Sequence, residues 1–339
     1  MADRGEGPTM IVVTGAGGGV GRHVARELSE RGETVRAFVK NDEQARSARV
    51  EGATEVVVGD IRSTDDLAAA MRGASRVFHV CPTAVVREVG IAEGLIDAAR
   101  ANGVEHIVFN SVIHPEIRDL PHHQEKLRVE RLLLESGIPA TVLRPSHFMQ
   151  NYVDFWDLML AGTLPYPSSP TSVMGVVDAE DIGEVGAMIT ASPDGHAGKV
   201  YDLSTEELTR HEMAAIWSDV LGHRMSAVRL PPDAMKKPLH GLGPAATIAV
   251  RSLASTKGSA LRPMFRGLAG MPNTRGVRNW PEESKDCYVA MMSYYDKNGL
   301  PAGDMTVLPE LLGRPATGYR EFAVREAARR GSPVTSSSR

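Results

Sequence analysis

The feature that most constrains this chain is a glycine-rich stretch near its start, TMIVVTGAGGGVGR at residues 9–22. The four apolar residues 10–13 form a short run rich in β-branched side chains, which predicts a strand buried on both faces. Glycines follow at positions 15, 18 and 21, and Val20, Val24 and Leu28 then recur at helical spacing. Strand, glycine turn and helix in this order match the GxxGxxG form of the dinucleotide-binding fingerprint, in which a pyrophosphate meets the positive end of a helix. The sequence therefore predicts a dinucleotide site at this turn.

Composition excludes several classes of protein. The 339 residues are 42% hydrophobic and 24% charged with a net charge of −4, so no overall attraction to nucleic acid or to an anionic membrane is expected. The two cysteines cannot form a disulfide framework and are typical of a reducing cytoplasm. The first nine residues lack the apolar core of a signal peptide, and no apolar run is long enough to span a membrane. We predict a cytoplasmic protein without a nucleic-acid or membrane partner.

Strand and helix patterns alternate through the first half of the chain. Five strands separated by helical patterns are predicted within the first 110 residues, at 10–13, 33–39, 55–60, 76–80 and 105–110. A helix at 121–137 and a sixth strand at 139–143 follow. This alternation predicts an α/β fold with a doubly wound parallel sheet, whose ligands collect at the carboxyl ends of the strands.

Two residues at those strand ends bear on the cofactor. Lys40 lies 19 residues after Gly21, where such folds place the side chain that contacts the ribose. A lysine there attracts a 2′-phosphate, so NADP is favoured over NAD, although Asp42 and Glu43 lie close enough to leave the choice open. Asp60 is predicted either to face the adenine amino group or to cap the next helix, with Ser63 and Asp65 as the alternative capping residues.

The glycine turn, the strand ending at Lys40, Gly-Asp at 59–60 and PHHQEKLRVERLLLESGIPATVLRPSHFMQN at 121–151 resemble the NmrA-like branch of atypical short-chain dehydrogenases. The resemblance runs from about residue 10 to 228 and returns at 311–322. It implies a Rossmann domain with a smaller C-terminal α+β lobe and a nicotinamide dinucleotide as cofactor. The motifs are specific for the family but do not identify a substrate.

The resemblance also implies catalytic positions. Short-chain dehydrogenases use a tyrosine four residues before a lysine, so that both side chains share one helical face. Here Lys126 occupies the lysine position and His122 the tyrosine position, while Ser111 ends strand five where the family's carbonyl-polarising serine stands. Lys126 is expected to hold the nicotinamide ribose. His122 is either a proton donor or a solvated residue of the first helical turn, and Ser111 binds either the substrate or a backbone group.

The predicted cofactor-binding residues follow the same strand ends: Gly15, Ala16, Gly17, Gly18, Gly19, Val20, Gly21, Lys40, Asp60, Ile61, Val80, Cys81, Pro82, Lys126, Phe148 and Asn151. His79 is expected to be structural because of its buried strand neighbours. No metal site is predicted, since the histidines His114, His147 and His240 lack the spacing of metal ligands.

The domain organisation is predicted in four parts. Residues 1–8 are expected to be flexible and residues 329–339 disordered. The dinucleotide-binding domain is predicted over 9–150 with a return at 173–190, and a substrate lobe over 151–172 and 191–328.

Within this lobe, residues 234–281 contain eight basic side chains and no acidic one, and this segment departs from the family pattern. Three interpretations remain open: a helical lid over the substrate site, a basic surface for a partner or anionic ligand, or a mobile solvated insertion.

Two functions are compatible with the sequence. The first is an NADPH-dependent oxidoreductase that reduces a small apolar or aromatic carbonyl or enone, with Ser111 and His122 serving the substrate. The second is a non-catalytic regulator that responds to the redox state of NAD(P), a hypothesis motivated by the missing tyrosine. A small-molecule substrate and a monomer or homodimer are expected for the enzyme.

Overall fold

A computed structural model describes residues 9–256 and 260–332. The predicted flexible N-terminus at 1–8 and the tail residues 333–339 lie outside the described residues. The predicted tail begins too early, because Arg329 still belongs to a helix and the described chain continues to Ser332. Throughout the described chain, no helix has both the length and the apolar composition needed to cross a bilayer.

The described strands form one large sheet and two small ones. Numbered along the chain, they are β1 Met10–Thr14, β2 Thr34–Val39, β3 Glu55–Val58, β4 Ala74–His79, β5 His106–Asn110, β6 Ala140–Pro145, β7 His147–Phe148, β8 Thr163–Tyr166, β9 Val173–Val177, β10 Val200–Leu203, β11 Glu206–Thr209 and β12 Ser226–Arg229. Seven strands build the central sheet in the order β10-β6-β5-β4-β1-β2-β3, and every neighbouring pair is parallel. The predicted doubly wound Rossmann fold is confirmed.

Helices pack on both faces of this sheet. In chain order they are α1 Gly19–Glu30, α2 Asp42–Val50, α3 Thr64–Met71, α4 Val89–Ala101, α5 Pro121–Glu135, α6 Gln150–Val153, α7 Trp156–Leu160, α8 Ala179–Ala191, α9 Arg210–Leu221, α10 Leu242–Thr256, α11 Leu261–Gly270, α12 Glu282–Asn298, α13 Val307–Leu312 and α14 Tyr319–Arg329. The β1 side chains alternate between two cores: Ile11 and Val13 lie in the core formed with α1 and α8, and Val12 lies in the core formed with α3, α4 and α5. Burial on both faces explains why β1 is a continuous apolar run.

The strand order reverses between β1 and β4. From β1 the chain winds outward through β2 and β3, and it then returns to β4 and winds through β5 and β6 on the other side. Such a reversal opens a crevice at the carboxyl ends of the two central strands, where ligands of these sheets bind. The Thr14 hydroxyl accepts a hydrogen bond from the Val80 N–H at 3.0 Å, which ties the two strand ends together at this crevice.

The remaining chain forms a second lobe with a core of its own. The small sheets β11-β9-β7 and β12-β8 pack with α9 and α14 around Trp217 and Tyr319, both fully buried. Two details differ from the predicted boundaries. β10, expected in this lobe, is the edge strand of the central sheet, because α8 packs on α1 and brings the chain back beside β6. β9, expected to return to the Rossmann domain, pairs instead with β7 and β11.

Candidate cofactor site and adjoining pocket

The glycine turn between β1 and α1 has the backbone geometry that only glycine allows. Gly15 has φ +62°, and a Cβ there would lie 2.7 Å from the Val80 carbonyl oxygen. The Gly15 carbonyl accepts a hydrogen bond from the Gly18 N–H at 2.9 Å, which closes the turn. A Cβ on Gly21 would lie 2.3 Å from that same Gly15 oxygen. The first and third glycines of the motif are therefore required by close backbone approach.

The N-terminus of α1 has the properties of an anion site. Gly18 is the N-cap residue, no side chain caps the helix, and no acidic residue lies in its first turn. A Cβ on Gly19 would meet nothing within 4 Å. Among the described residues, no side chain occupies the positive end of this 12-residue helix, where its first N–H groups can bind a pyrophosphate.

The other residues of this turn that were predicted to bind the cofactor are buried or covered by a neighbouring side chain. Ala16 and Val20 are buried in the core and anchor the turn from below. Gly17 lies under the Gln44 side chain, which a Cβ at this position would overlap. Sequence reasoning did not anticipate Gln44, because it belongs to the helix after β2.

At the end of β2, Lys40 is exposed and its backbone N–H donates to the Gln44 side-chain oxygen at 3.0 Å. No ion pair of Lys40 with a carboxylate is found among the residues that the structure describes. Asp60 is paired instead with Arg62 at 2.6 Å, and hydrogen bonds from Arg62, together with the weaker charge of Lys40, lower the Asp60 pKa. Ser63, not Asp60, caps α3. The proposed capping role of Asp60 is wrong.

A pocket of about 140 Å³ opens at the carboxyl ends of β4, β5 and β6. One wall is polar and includes Asn110, Ser111, His122 and Lys126. The opposite wall is aromatic and thioether-rich, with Phe148, Tyr166, Tyr288, Met291, Met292 and Tyr295. Of the predicted residues, the structure brings together Val80, Cys81, Ser111, His122, Lys126, Phe148 and Asn151 around this pocket. Pro82 does not line it, although its neighbours Cys81 and Thr83 do.

Lys126 lies at the base of the polar wall and is 4% exposed. Its ammonium donates to the Glu88 carboxylate at 2.7 Å and to the Asn110 carbonyl at 3.3 Å, and it lies 4.9 Å from the centre of the Phe109 ring. Glu88 is 1% exposed and was not anticipated from the sequence. No local motif indicates it, since it meets Lys126 only through the packing of α4 against α5.

The predicted role of Ser111 as a donor to the substrate does not agree with its hydrogen bond. The Ser111 hydroxyl donates to the Glu130 carboxylate at 2.5 Å, and Arg144 holds the same carboxylate at 2.6 Å. A hydroxyl has one hydrogen to donate, so Ser111 presents only a lone pair to the pocket. In this geometry it cannot polarise a carbonyl.

His122 is also not the acid that the sequence comparison implied. Burial, reinforced by the charges of Lys126 and His123, lowers the pKa of His122 to about 3. The imidazole is therefore neutral at physiological pH. The alternative of a solvated residue is wrong as well, because only 14% of its side chain is exposed.

The neighbouring His123 links α5 to α12. Its Nδ1–H donates to the His114 carbonyl at 3.0 Å, so its Nε2 accepts from the Tyr295 hydroxyl at 2.7 Å. Burial lowers the pKa of His123 to about 4, which keeps the ring neutral and able to accept. This bond fixes the aromatic wall against the polar wall.

Other histidines are structural or lack a metal-binding neighbourhood. His79 is fully buried, bonds the Thr14 hydroxyl at 2.9 Å and stacks on Phe109, in agreement with its predicted structural role. In the described part of the chain, no group of three or more metal-ligating side chains is found.

The element that covers the pocket is α12, not the basic segment. The described residues of 234–281 form α10, α11 and two 3₁₀ segments, Pro238–Gly241 and Met271–Asn279, and none of them lines the pocket. Ile248 of α10 packs on Leu158 and Val228 of the second lobe. The predicted lid therefore lies just after the basic segment, where α12 contributes Tyr288, Met291, Met292 and Tyr295 to the pocket wall.

Comparison with known proteins agrees with this architecture. A model of the NmrA-like family matches residues 8–258. The chain is 31% identical over 292 residues to the (4-alkanoyl-5-oxo-2,5-dihydrofuran-3-yl)methyl phosphate reductase of Streptomyces griseus, covering 82% of this chain and 99% of the relative. It is 26% identical over 331 residues to the NAD(P)H azoreductase of Xenophilus azovorans, covering 95% and 100%. Among solved structures, an NADPH-dependent quinone oxidoreductase from Escherichia coli in complex with NADPH matches with a TM-score of 0.69 at 23% identity, covering 94% of this chain and 99% of that one.

The parallel sheet, the glycine turn and the uncapped α1 define an NAD(P)-binding Rossmann protein. Within this class, the chain belongs to the NmrA-like family, whose model covers most of its length. The match continues past the predicted boundary at 228 and includes the first half of the basic segment, so that part of the segment does not depart from the family pattern.

Proposed function

We propose that the protein is an NADPH-dependent oxidoreductase that reduces small, flat, conjugated acceptors, with quinones and enones as the substrate class. The observation that carries this proposal is the pocket itself. It places a buried cation, Lys126, opposite the aromatic and methionine side chains of α12 at the sheet edge where the cofactor of such folds binds. The relatives are reductases of an azo compound and of an unsaturated lactone phosphate, which supports an acceptor of this kind.

The residues fit a nicotinamide dinucleotide. Gly15 and Gly21 allow the backbone approach that a pyrophosphate needs, and the buried Asn110 side-chain oxygen on the pocket wall has no hydrogen-bond partner among the described residues. The reduced nicotinamide, when bound, supplies a hydride. Lys126 has three N–H donors, of which the described contacts use two, so one remains for the cofactor or the acceptor oxygen.

The protonation states of the pocket favour conjugated acceptors over simple ketones. Hydride addition to a quinone leaves a phenolate-type oxygen with a pKa of about 10, which water protonates at neutral pH. Addition to a simple ketone leaves an alkoxide about as basic as hydroxide, since water, from which hydroxide forms, has a pKa of ~15.7. That reaction needs a positioned acid. His122 is neutral and Ser111 donates to Glu130, so neither supplies that acid. The Lys126 charge suffices to stabilise a delocalised anion.

The preference for NADPH rests on Lys40. Its ammonium is exposed at the end of β2 and carries no carboxylate partner among the described residues. Arg62 adds a second cation nearby, although it is paired with Asp60. A 2′-phosphate there would gain charge-assisted bonds that a 2′-hydroxyl cannot form.

The test has two stages with the same purified protein. Calorimetric titration with NADPH, NADP⁺, NADH and NAD⁺ should show tightest binding of the 2′-phosphorylated pair. Oxidation of NADPH, followed at the absorbance band of the reduced nicotinamide, should then proceed with 1,4-naphthoquinone and cyclohexenone and not with acetophenone. Equal rates with acetophenone would contradict the argument from the missing acid.

The same assay distinguishes the regulator hypothesis from the enzyme hypothesis. A redox sensor would distinguish NADPH from NADP⁺ in affinity without turning over any acceptor in the panel. The aromatic and methionine side chains that α12 adds to this pocket support the enzyme, because they provide an apolar surface for a flat acceptor.

A further inference from the structure

The buried carboxylate of Glu88 lies behind the polar wall of the pocket, against the Lys126 ammonium. Glu88 immediately precedes α4, is 1% exposed, and accepts a hydrogen bond from the Lys126 ammonium at 2.7 Å. Among the described residues, no other carboxylate lies within ion-pair distance of Lys126. A buried pair of this kind is costly to desolvate, so it needs a reason beyond stability.

We propose that Glu88 is a positioning residue that keeps the Lys126 ammonium charged and aimed at the bound cofactor. The inference rests on the proposed function, because it gives Lys126 its contact with the cofactor. Glu88 itself touches neither cofactor nor substrate in this proposal and acts through Lys126 alone.

The surroundings of Lys126 show why a counter-ion is needed. The ammonium lies against the Phe109 ring at 4.9 Å, and the His79 ring stacks on the same phenylalanine. Its other hydrogen-bond partner, the Asn110 carbonyl, is uncharged. A buried ammonium in such surroundings loses its proton readily unless a carboxylate stabilises the charge.

The position of Glu88 makes this interaction specific. Its Oε2 bonds Lys126, whereas its Oε1 lies 3.9 Å from His122 Nδ1. The neighbouring Glu125 also joins α4 to α5, but it does so by accepting the Val89 N–H at 3.1 Å and pairing with Arg128. One carboxylate of this helix interface therefore serves the site and the other serves packing, which provides a matched control.

The remaining titratable groups around the pair do not replace this charge. Burial lowers the pKa of His79 and His122 to about 3 and raises the pKa of Cys81 and Cys287. These four groups are therefore uncharged near neutral pH. Burial raises the pKa of Glu88, and the Lys126 charge and hydrogen bonds from Lys126 and Cys81 oppose that shift. The charged groups that face the pair or its neighbours from α5 and α12 are Glu125 and Glu283.

The experiment compares Glu88→Gln with Glu125→Gln, in the full chain, by calorimetric titration with NADPH from pH 6 to pH 9. At each pH, the ratio of the two dissociation constants is unaffected by protonation of the 2′-phosphate of NADPH, because both variants bind the same cofactor. We expect this ratio to be near one at pH 6 and to rise by about tenfold or more by pH 9, because the Glu88 variant leaves a buried ammonium without its counter-ion. Glu88→Asp, which retains the carboxylate, should restore most of the affinity and remove most of the pH dependence.

A second arm tests that Glu88 acts through Lys126. In the background of Lys126→Met, adding Glu88→Gln should weaken NADPH binding no further, whereas independent contributions would multiply. A constant affinity ratio across the pH range, or multiplicative effects in the double variant, would overturn the inference. If Glu88→Gln does not fold, Glu88→Ala against Glu125→Ala takes its place in the same titrations, with the same expected rise of the ratio and the same overturning outcome. A wild-type protein that binds none of the four nicotinamide nucleotides would overturn the proposed function and this inference together, whereas wild-type binding with a flat Glu88→Gln profile would overturn only the inference.

Discussion

Replacement of Gly21 by alanine should separate cofactor binding from overall stability. A Cβ at this position would lie 2.3 Å from the Gly15 carbonyl oxygen and 2.7 Å from its carbon, so the backbone must move by about 1 Å to reach ordinary contact. Gly15 cannot yield freely, because its own backbone lies against the Val80 carbonyl and its oxygen closes the turn with Gly18. Overlap of this kind costs about 1–3 kcal/mol of unfolding free energy. The displaced turn should lower NADPH affinity by about 10–100-fold, since each factor of ten corresponds to about 1.4 kcal/mol.

Gly90→Ala is the matched control. Gly90 also lies in the first turn of a helix, is exposed, and has open space where a Cβ would be placed. The Gly90→Ala variant should have a free energy of unfolding about 0.5–1 kcal/mol higher than the wild type and should bind NADPH as the wild type does. Urea denaturation and calorimetric titration of both variants provide the two measurements. Equal NADPH affinity in the two variants would refute the argument that the third glycine is required by backbone approach.

Three further outcomes follow from the site and its charges. Lys40→Asp should weaken NADPH binding by about 10–100-fold and NADH binding far less, and calorimetric titrations that show equal losses would remove the 2′-phosphate argument. Ser111→Ala should lower the unfolding free energy by about 1–2 kcal/mol through its bond to Glu130 while kcat stays within about threefold, so a hundredfold loss of kcat would restore the serine to catalysis. Urea denaturation should show a lower free energy of unfolding at pH 5 than at pH 7. Burial lowers the folded-state pKa of several histidines to between about 3 and about 4, whereas in the unfolded chain their pKa is the ordinary 6.5. Between pH 7 and pH 5 the unfolded chain therefore binds protons that the folded chain does not. The expected loss is about 1–2 kcal/mol for each residue, and an unchanged unfolding free energy would contradict it. These residues are His23, His79, His106, His122 and His123.

The sequence was informative where the chemistry is local. The turn after β1 depends on residues within a dozen positions of one another, so glycine spacing and apolar periodicity predicted both the fold and the pyrophosphate end of the site. α2 was expected only from the alternation of strands and helices, for an equally local reason. Its nine residues, DEQARSARV, bury only Ala45 and Ala48, so no apolar stripe marks the helix, and the cap on Asn41 is its main signal.

The errors lie where distant parts of the chain meet. His122 has the sequence position of a proton donor, but its charge state depends on burial and on the Lys126 charge, which no spacing shows. Ser111 lies at the predicted place and its hydrogen is taken by Glu130 on another element. The lid was assigned to 234–281 on charge and departure from the family pattern, whereas the helix that covers the pocket begins one residue later, at Glu282.

These corrections share one physical consequence for the chemistry. Burial keeps His79, His122 and the Cys81 thiol uncharged near neutral pH by shifting their pKa values, and Glu88 and Lys126 form the buried ion pair at the base of the pocket. Such a site is poor at delivering protons, because its predicted donors are either neutral or already donating to a carboxylate. It is well suited to stabilising a negative charge that spreads over a flat acceptor against the α12 wall, since a cation already fixed in place needs no rearrangement during the reaction. Loss of the family's tyrosine therefore does not argue against turnover. Under the proposed function, it restricts the acceptors to those whose reduced anion water can protonate, and the contrast between 1,4-naphthoquinone and acetophenone is the direct measure of that restriction.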